Sequence, residues 1–232
     1  MQEFDVVVIG GGSAGLKVTR VAAKQGHKVA VAEERELGGE CFWAGCVPTK
    51  AMIRSAQVWQ LVQNAERFGI QAKDVHSDFA QAMAYKDRAV RAVGGDPNSD
   101  AGLSKMGGKL FRSHAVMEGT HEVRIGNEVV RGKNIVLATG TVPAVPPVPG
   151  LAEAGYITNR ETVHLTSLPK RIVVLGGGVI GLEFAQTFRR FGAEVTIIEL
   201  GTHLLPKEDP EVAALARGFL EREGLRILTN TQ

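Results

Sequence analysis

FDVVVIGGGSAGLKVTRVAAKQGHKVAVAE, residues 4–33, decides how this 232-residue chain is read. A valine-rich run, Phe4 to Ile9, leads directly into Gly10-Gly11-Gly12-Ser13-Ala14-Gly15, which has the G-x-G-x-x-G form. Beyond it Leu16, Val18, Val21 and Ala22 recur at helical spacing, and His27 to Ala32 reads as a second strand ending in Glu33. The order is strand, glycine turn, helix, strand, acid. In such a unit the first glycine makes the tight turn and the second lets backbone N–H groups reach a pyrophosphate. The third lets the helix pack closely on the strand, and the acid takes a ribose hydroxyl. A glycine turn alone also arises for steric reasons, but here its flanking elements are present.

The unit occurs twice. RIVVLGGGVIGLEFAQTFRRFGAEVTIIEL, residues 171–200, places Gly176, Gly178 and Gly181 at the three glycine positions, Val179 and Ile180 between the last two, and Glu199 at the end of its second strand. The acid follows the first glycine by 23 residues in both copies. Two bound dinucleotides are therefore implied. The expected fold is α/β, with two Rossmann-like domains.

Between the copies, Pro48 to about Phe68 reads as one long helix and Asp78 to Val93 as a second. Leu110 to Val136 carries the short alternating runs of an antiparallel meander, and the Pro-rich segment 142–150 reads as an extended crossing. After Glu199, Pro210 to Gly224 reads as helix and Leu225 to Leu228 as a strand. Three strands are few for a dinucleotide sheet, so the second domain is expected to be incomplete.

Composition excludes several classes. Lys+Arg number 27 against 25 Asp+Glu, a formal charge of +2, and the basic residues are scattered rather than gathered into a stripe. No nucleic-acid partner is expected. No apolar run reaches the roughly 18 residues of a membrane span, and the start, MQEFDVVVIGGG, is not a signal peptide. The expectation is a cytoplasmic chain without membrane contact.

Both cysteines lie in GGECFWAGCVPTK, residues 38–50. Cytoplasmic thiols are normally kept reduced, so a close pair there is more readily catalytic or metal-binding than structural. Zinc usually takes four ligands, and no histidine stands at ligand spacing around the pair, so no metal is expected. Within a regular α-helix, five residues give about 7.5 Å of rise, beyond the roughly 7 Å Cα limit for a bridge. A bridge would need distorted backbone, for which Gly45 supplies the freedom. A helix starting just beyond Cys46 would stabilise a thiolate there.

These residues resemble the FAD-dependent pyridine nucleotide–disulfide oxidoreductases, the family of dihydrolipoamide dehydrogenase, glutathione reductase and mercuric reductase. The likeness rests on the first glycine turn with Glu33, the cysteine motif, Ala138-Thr139-Gly140, and the second glycine turn with Glu199. It implies that residues 1–150 bind FAD, through Gly10, Gly12, Ser13, Ala14, Gly15, Glu33, Glu34, Gly39, Glu40, Lys50, Ala115, Ala138, Thr139 and Gly140. It implies that residues 151–232 form part of an NAD domain, through Gly176, Gly178, Val179, Ile180, Gly181 and Glu199. Cys41 and Cys46 are similar to a redox-active disulfide, with Cys46 nearer the flavin and Cys41 meeting the substrate. Lys50 matches a lysine near the flavin, and Glu183 the carboxylate that pairs with it. Glu40 stands where the family usually has Thr, and Phe42-Trp43-Ala44 is a variant spacer.

Glu199 favours NAD over NADP, because a carboxylate accepts from a free 2′-hydroxyl and repels a 2′-phosphate. Val47-Pro48-Thr49-Lys50 is similar to the dihydrolipoamide and mercuric branch, implying a lipoyl or other small disulfide substrate, with mercuric ion as the alternative. Residues 52–56, the Pro-rich crossing and Lys207 to Pro210 lean toward mercuric reductases, while Glu199 leans back. Family members are homodimers with longer chains, whose C-terminal dimerisation domain has no counterpart here. A non-catalytic FAD-binding fragment is therefore a further expectation.

Overall fold

The computed structural model describes residues 1–94 and 100–231. Two compact units are present, one of Met1–Val47 and Val90–Thr158, the other of Pro48–Ala89 and Asn159–Gln232.

The first unit is built on strand β1 (Gln2–Ile9), helix α1 (Ser13–Lys24) and strand β2 (Val29–Ala32). β1 and β2 are parallel, with Val6 opposite Val29 and Ile9 opposite Ala32. All four residues of β2 are buried, so both faces of the sheet are covered. Val8, Val29, Val31 and Ala22 pack with Leu103 on one side, and Val7, Ala30, Ala32, Phe111 and Val130 on the other. Between these strands and the next lie the short helix α2 (Gly39–Trp43), helix α3 (Cys46–Gln63), a 3-10 turn over Ala65–Phe68, and helices α4 (Phe79–Gly94) and α5 (Asp100–Lys105). The chain passes from one unit to the other within α3 and returns within α4.

Strands β3 (Gly108–Phe111), β4 (Ala115–Met117), β5 (Glu122–Ile125) and β6 (Glu128–Leu137) complete a six-stranded sheet of order β3-β2-β1-β6-β5-β4. The meander expected from Leu110 onward is narrower than its sequence pattern. β3 pairs parallel with β2, and only β4, β5 and β6 are antiparallel. A four-residue strand has too few alternations to show which kind of sheet it joins. β6 is long enough to serve twice, pairing antiparallel with β5 near its start and parallel with β1 along its length. Its far end delivers Ala138 beside Gly10, where Ala138 N–H donates to Ile9 O at 2.8 Å.

After the short helices α6 (Leu151–Ala154) and α7 (Asn159–Thr162), the second unit repeats the opening motif as strand β7 (Arg171–Leu175), helix α8 (Val179–Phe191) and strand β8 (Glu194–Ile198). Helix α9 (Pro210–Arg222) and strand β9 (Arg226–Leu228) come next, giving a parallel sheet of order β7-β8-β9. The long helix expected over Pro48 to Phe68 starts two residues earlier and ends at Gln63, with the 3-10 turn beyond it. α4 meets α8 through Phe79, whose ring stands edge-on to Phe191 at 5.5 Å. Lys86 on α4 is buried, its Nζ donating to Val163 O and to Asp87 Oδ1, both at 2.6 Å. Among the described residues no helix is long and apolar enough to cross a membrane.

Arg190, in the last turn of α8, grips Glu223 just past α9 through Nε at 3.0 Å and Nη2 at 2.9 Å. Burial pushes the Glu223 carboxyl up, but Arg190, with Gln60 and Gln186, holds it below the ordinary carboxylate range. A depressed pKa means that this stabilisation is full above the unfolded value, about 4.3, and is lost as pH falls through the lower folded one. Glu223→Gln is expected to weaken protection of the α8 and α9 amides at pH 7 by about 2 kcal/mol, with the gap to wild type narrowing as the pH falls below the unfolded value; hydrogen exchange at pH 7 and across the acid range checks this.

Candidate functional site

Both glycine turns are held by the same clamp. In the first, Glu33 accepts from Gly11 N–H at 2.7 Å on one carboxylate oxygen and from Arg35 N–H at 2.8 Å on the other. In the second, Glu199 accepts from Gly177 and Gly201 N–H, each at 2.6 Å. Each oxygen keeps a lone pair for a further donor, so the acid can hold the turn and still receive a ribose hydroxyl. Residue pattern alone assigns these acids only the ligand role. Their amide partners are backbone groups that no residue type announces.

A leucine plugs each clamp. A Cβ on Gly11 would lie 2.6 Å from Leu37 Cδ2, and one on Gly177 would lie 2.6 Å from Leu204 Cδ2. The next residue donates to the glycine carbonyl, Gly38 N–H to Gly11 O at 2.9 Å and Leu205 N–H to Gly177 O at 2.8 Å. Gly38 and Leu205 both take positive φ, +109° and +53°. The plugs stand four residues after Glu33 and five after Glu199, so aligning the repeat on its glycines misses them.

The turns fit a dinucleotide pyrophosphate. α1 and α8 begin after Gly12 and Gly178, both extended and neither offering a side-chain cap. The first-turn amides, Ser13 to Gly15 and Val179 to Gly181, therefore suit an anion. A Cβ on Gly178 would meet nothing within 4 Å, and one on Gly12 only Gly39 Cα at 3.7 Å, which leaves room for a ligand to approach the backbone. A Cβ on Gly15 would overlap Gly10 O, and one on Gly181 would overlap Gly176 O, so helix and turn pack with no space for a side chain. A Cβ on Gly10 would overlap Ala138 O, which brings Ala138 and Thr139 against the first turn; Gly140 comes next with φ +70°.

Three other expected contacts are placed less closely. Glu34 is exposed and pairs with His114 at 2.9 Å. Ala115 opens β4 opposite Ile125, and Glu40 lies in the first turn of α2.

Cys41 and Cys46 form a disulfide, with Cα atoms 4.7 Å apart. The helix does break between them, as the expected distortion requires: α2 ends at Trp43 and α3 starts at Cys46. Gly45 favours the approach of the two ends, because a Cβ there would lie 3.0 Å from Glu40 O and 3.1 Å from Cys41 Cα, and those atoms would have to give way. Cys46 is the first residue of α3, where the positive end of the helix favours a thiolate. Among the described residues no group of three or more His, Cys, Asp or Glu could hold a metal.

Within the second unit, Lys50 Nζ meets Glu183 Oε1 at 2.5 Å, joining α3 to α8 across 133 residues of sequence. Lys50 is mostly exposed and Glu183 mostly covered, so the carboxylate is the fixed partner and the ammonium the one presented.

Gly45→Ala is expected to push Cys41 and Cys46 apart and shift their equilibrium toward the dithiol by about tenfold, equivalent to roughly 30 mV. Titration in dithiothreitol buffers, with alkylation and intact mass as the readout, checks this; an unshifted midpoint would show that Gly45 does not govern closure of the bridge.

Residues 4–232 match the family described as Pyridine nucleotide-disulphide oxidoreductase. The chain is 35% identical over its whole length to a dihydrolipoyl dehydrogenase of Acholeplasma laidlawii, covering 70% of that protein. It is 40% identical to one of Chlorobaculum parvum, with 94% of this chain and 47% of the relative covered. A mercuric reductase of Staphylococcus aureus is 32% identical, with 98% and 41% covered. The chain thus spans about half the length of most such relatives. The solved HOCl-induced flavoprotein disulfide reductase RclA of Escherichia coli superposes with a TM-score of 0.83 at 31% identity, covering 98% of this chain and 49% of that one. With two clamped glycine turns and a bridged cysteine pair matching over this extent, the chain belongs to the pyridine nucleotide-disulphide oxidoreductases.

Proposed function

We propose that the chain is the nucleotide- and disulfide-bearing part of a flavoprotein disulfide oxidoreductase of the dihydrolipoamide dehydrogenase type. The observation that carries this reading is the Cys41–Cys46 disulfide on the loop just beyond the first clamped glycine turn. Residues 1–150 would take FAD, with Gly10, Gly12 to Gly15 and Ala138 to Gly140 at the turn and Glu33 on the adenosine ribose. Residues 151–232 would take the nicotinamide dinucleotide at Gly176, Gly178 to Gly181 and Glu199. The bound cofactors would supply the two-electron transfer that opens the disulfide.

The chain's own chemistry begins once two electrons and two protons have turned the disulfide into two thiols. The Cys41 thiolate attacks a substrate disulfide, forms a mixed disulfide and releases one substrate thiol. Cys46 then attacks the Cys41 sulfur, releases the second thiol and restores the bridge. With dihydrolipoamide the sequence runs in reverse. Lys50, held by Glu183, would present its charge toward the flavin. The cycle suits a reducing cytoplasm, and a homodimer is the expected assembly of the longer family chains. A mercuric reductase reading is supported by the Staphylococcus aureus relative and by residues 52–56, the Pro-rich crossing and Lys207 to Pro210. The half-length coverage supports a third reading, a non-catalytic FAD-binding fragment.

The purified chain is expected to take up FAD and, with NADH under anaerobic conditions, to expose two alkylatable thiols at Cys41 and Cys46. Cys41→Ser should keep flavin reduction by NADH and lose turnover of lipoamide; a variant that still turned over lipoamide would end the assignment, and a chain that stayed colourless would favour the fragment. Rates of flavin reduction should favour NADH over NADPH, and Glu199→Gln should narrow that preference by about tenfold, the worth of roughly 1.4 kcal/mol. An unchanged ratio would show that Glu199 does not select the nucleotide.

A further inference from the structure

Residues Leu37 to Gly39 lie between the first glycine turn and the cysteine loop, and are tied to both. On the turn side, Gly38 N–H donates to Gly11 O at 2.9 Å, Gly38 pairs with Gly12 as a parallel bridge, and Leu37 plugs the space beside Gly11. A Cβ on Gly39 would meet Gly12 Cα at 2.8 Å, so the two backbones are in close approach. On the cysteine side, Trp43 Nε1–H donates to Leu37 O at 2.8 Å. The indole stands edge-on to the Phe42 ring with centroids 4.6 Å apart, and a Cβ on Gly38 would meet Phe42 Cβ at 2.9 Å.

Trp43 is the last residue of α2 and lies inside the ring that the disulfide closes. Its N–H is the side chain's one donor, spent on a backbone carbonyl of the strip that also holds the glycine turn. We propose that Trp43 is a positioning residue for the Cys41–Cys46 pair: its indole bolts the cysteine loop to Leu37, so that disulfide and nucleotide turn keep one fixed spacing. The bolt itself needs no cofactor; its use in electron transfer rests on the function proposed above.

The bolt and the disulfide must stabilise each other. A five-residue helix is marginal by itself, so in the dithiol state α2 frays and the indole bond is made only part of the time. Closing the disulfide removes that freedom and favours the bond, and by reciprocity the bond favours the disulfide. An indole that merely packed would stabilise dithiol and disulfide alike and leave their equilibrium where it was.

Trp43→Phe keeps an aromatic ring and removes the donor. It is expected to move the dithiol–disulfide equilibrium toward the dithiol by about three- to fivefold, the upper figure being the full worth of one such hydrogen bond, read by alkylation and intact mass in dithiothreitol buffers. A midpoint within about twofold of wild type overturns the proposal. Should that variant not fold, Trp59→Phe leaves Trp43 as the sole indole of the chain. Reduction of that protein should shift its emission maximum to the red as the indole leaves Leu37, and an unmoved maximum overturns the proposal equally. Both measurements are made without FAD or nicotinamide, so failure to bind flavin or turn over a disulfide would sink the proposed function and leave this result standing.

Discussion

A carboxylate bridging two backbone amides is the interaction on which the rest of the structure depends. Glu33 and Glu199 each follow a parallel strand directly and reach back to the middle glycine of the turn before it. A glycine-rich turn has high conformational entropy, and without a partner its N–H groups would not point in one direction. The clamp removes that freedom before any ligand arrives. It also fixes the start of the adjoining helix, since α1 and α8 begin immediately after the turns. The parallel pairing of β1 with β2 and of β7 with β8 puts each acid within reach of its glycine.

The loops beyond Glu33 and Glu199 differ in backbone. In the second unit the plug Leu204 leads into a loop in which Leu205 holds a positive φ without being glycine, a conformation that costs energy for a branched side chain. In the first unit the corresponding residue is Gly38, succeeded by Gly39, and the two glycines let the chain pass in contact with Gly12. The paired glycines before the cysteine motif are thus explained by backbone approach. They put Cys41 at a set distance along the chain from the turn, with Trp43 holding the loop down.

Much of this was legible in the sequence, for identifiable reasons. The two glycine units carry their own landmarks at identical spacing, so strand, turn, helix and acid were placed within a few residues. The break between the cysteines follows from helix rise once the resemblance supplies the bridge. The illegible part depends on partners remote in sequence or on backbone groups. β3 reads as meander because four residues cannot reveal a parallel neighbour that precedes them by about 80 positions. The clamp amides, the leucine plugs and the Trp43 bond involve backbone N–H and C=O groups, which every residue carries. The Lys50–Glu183 pair was named only through the family resemblance, since a lysine on a helix is ordinarily a solvated one.

The placement of Gly45 and Trp43 between the same two cysteines sets opposite demands on four residues. Gly45 eases closure of the loop, because a side chain there would press on Glu40 O and Cys41 Cα. Trp43 limits where the closed loop can go, because its N–H reaches one carbonyl. A loop with only the first property would form its disulfide in many orientations. One with only the second would be fixed but harder to bridge. Under the function proposed above the pair would open and close repeatedly while facing the same neighbour and would need both, which the variant spacer Phe42-Trp43-Ala44-Gly45 supplies within four positions. The Phe42 ring, edge-on to the indole and lying against Gly38, leaves the tryptophan little room to turn away when the bridge is intact. Rigid closure of the oxidised loop, with release confined to a frayed α2, would make reduction a local event rather than an unfolding of the unit.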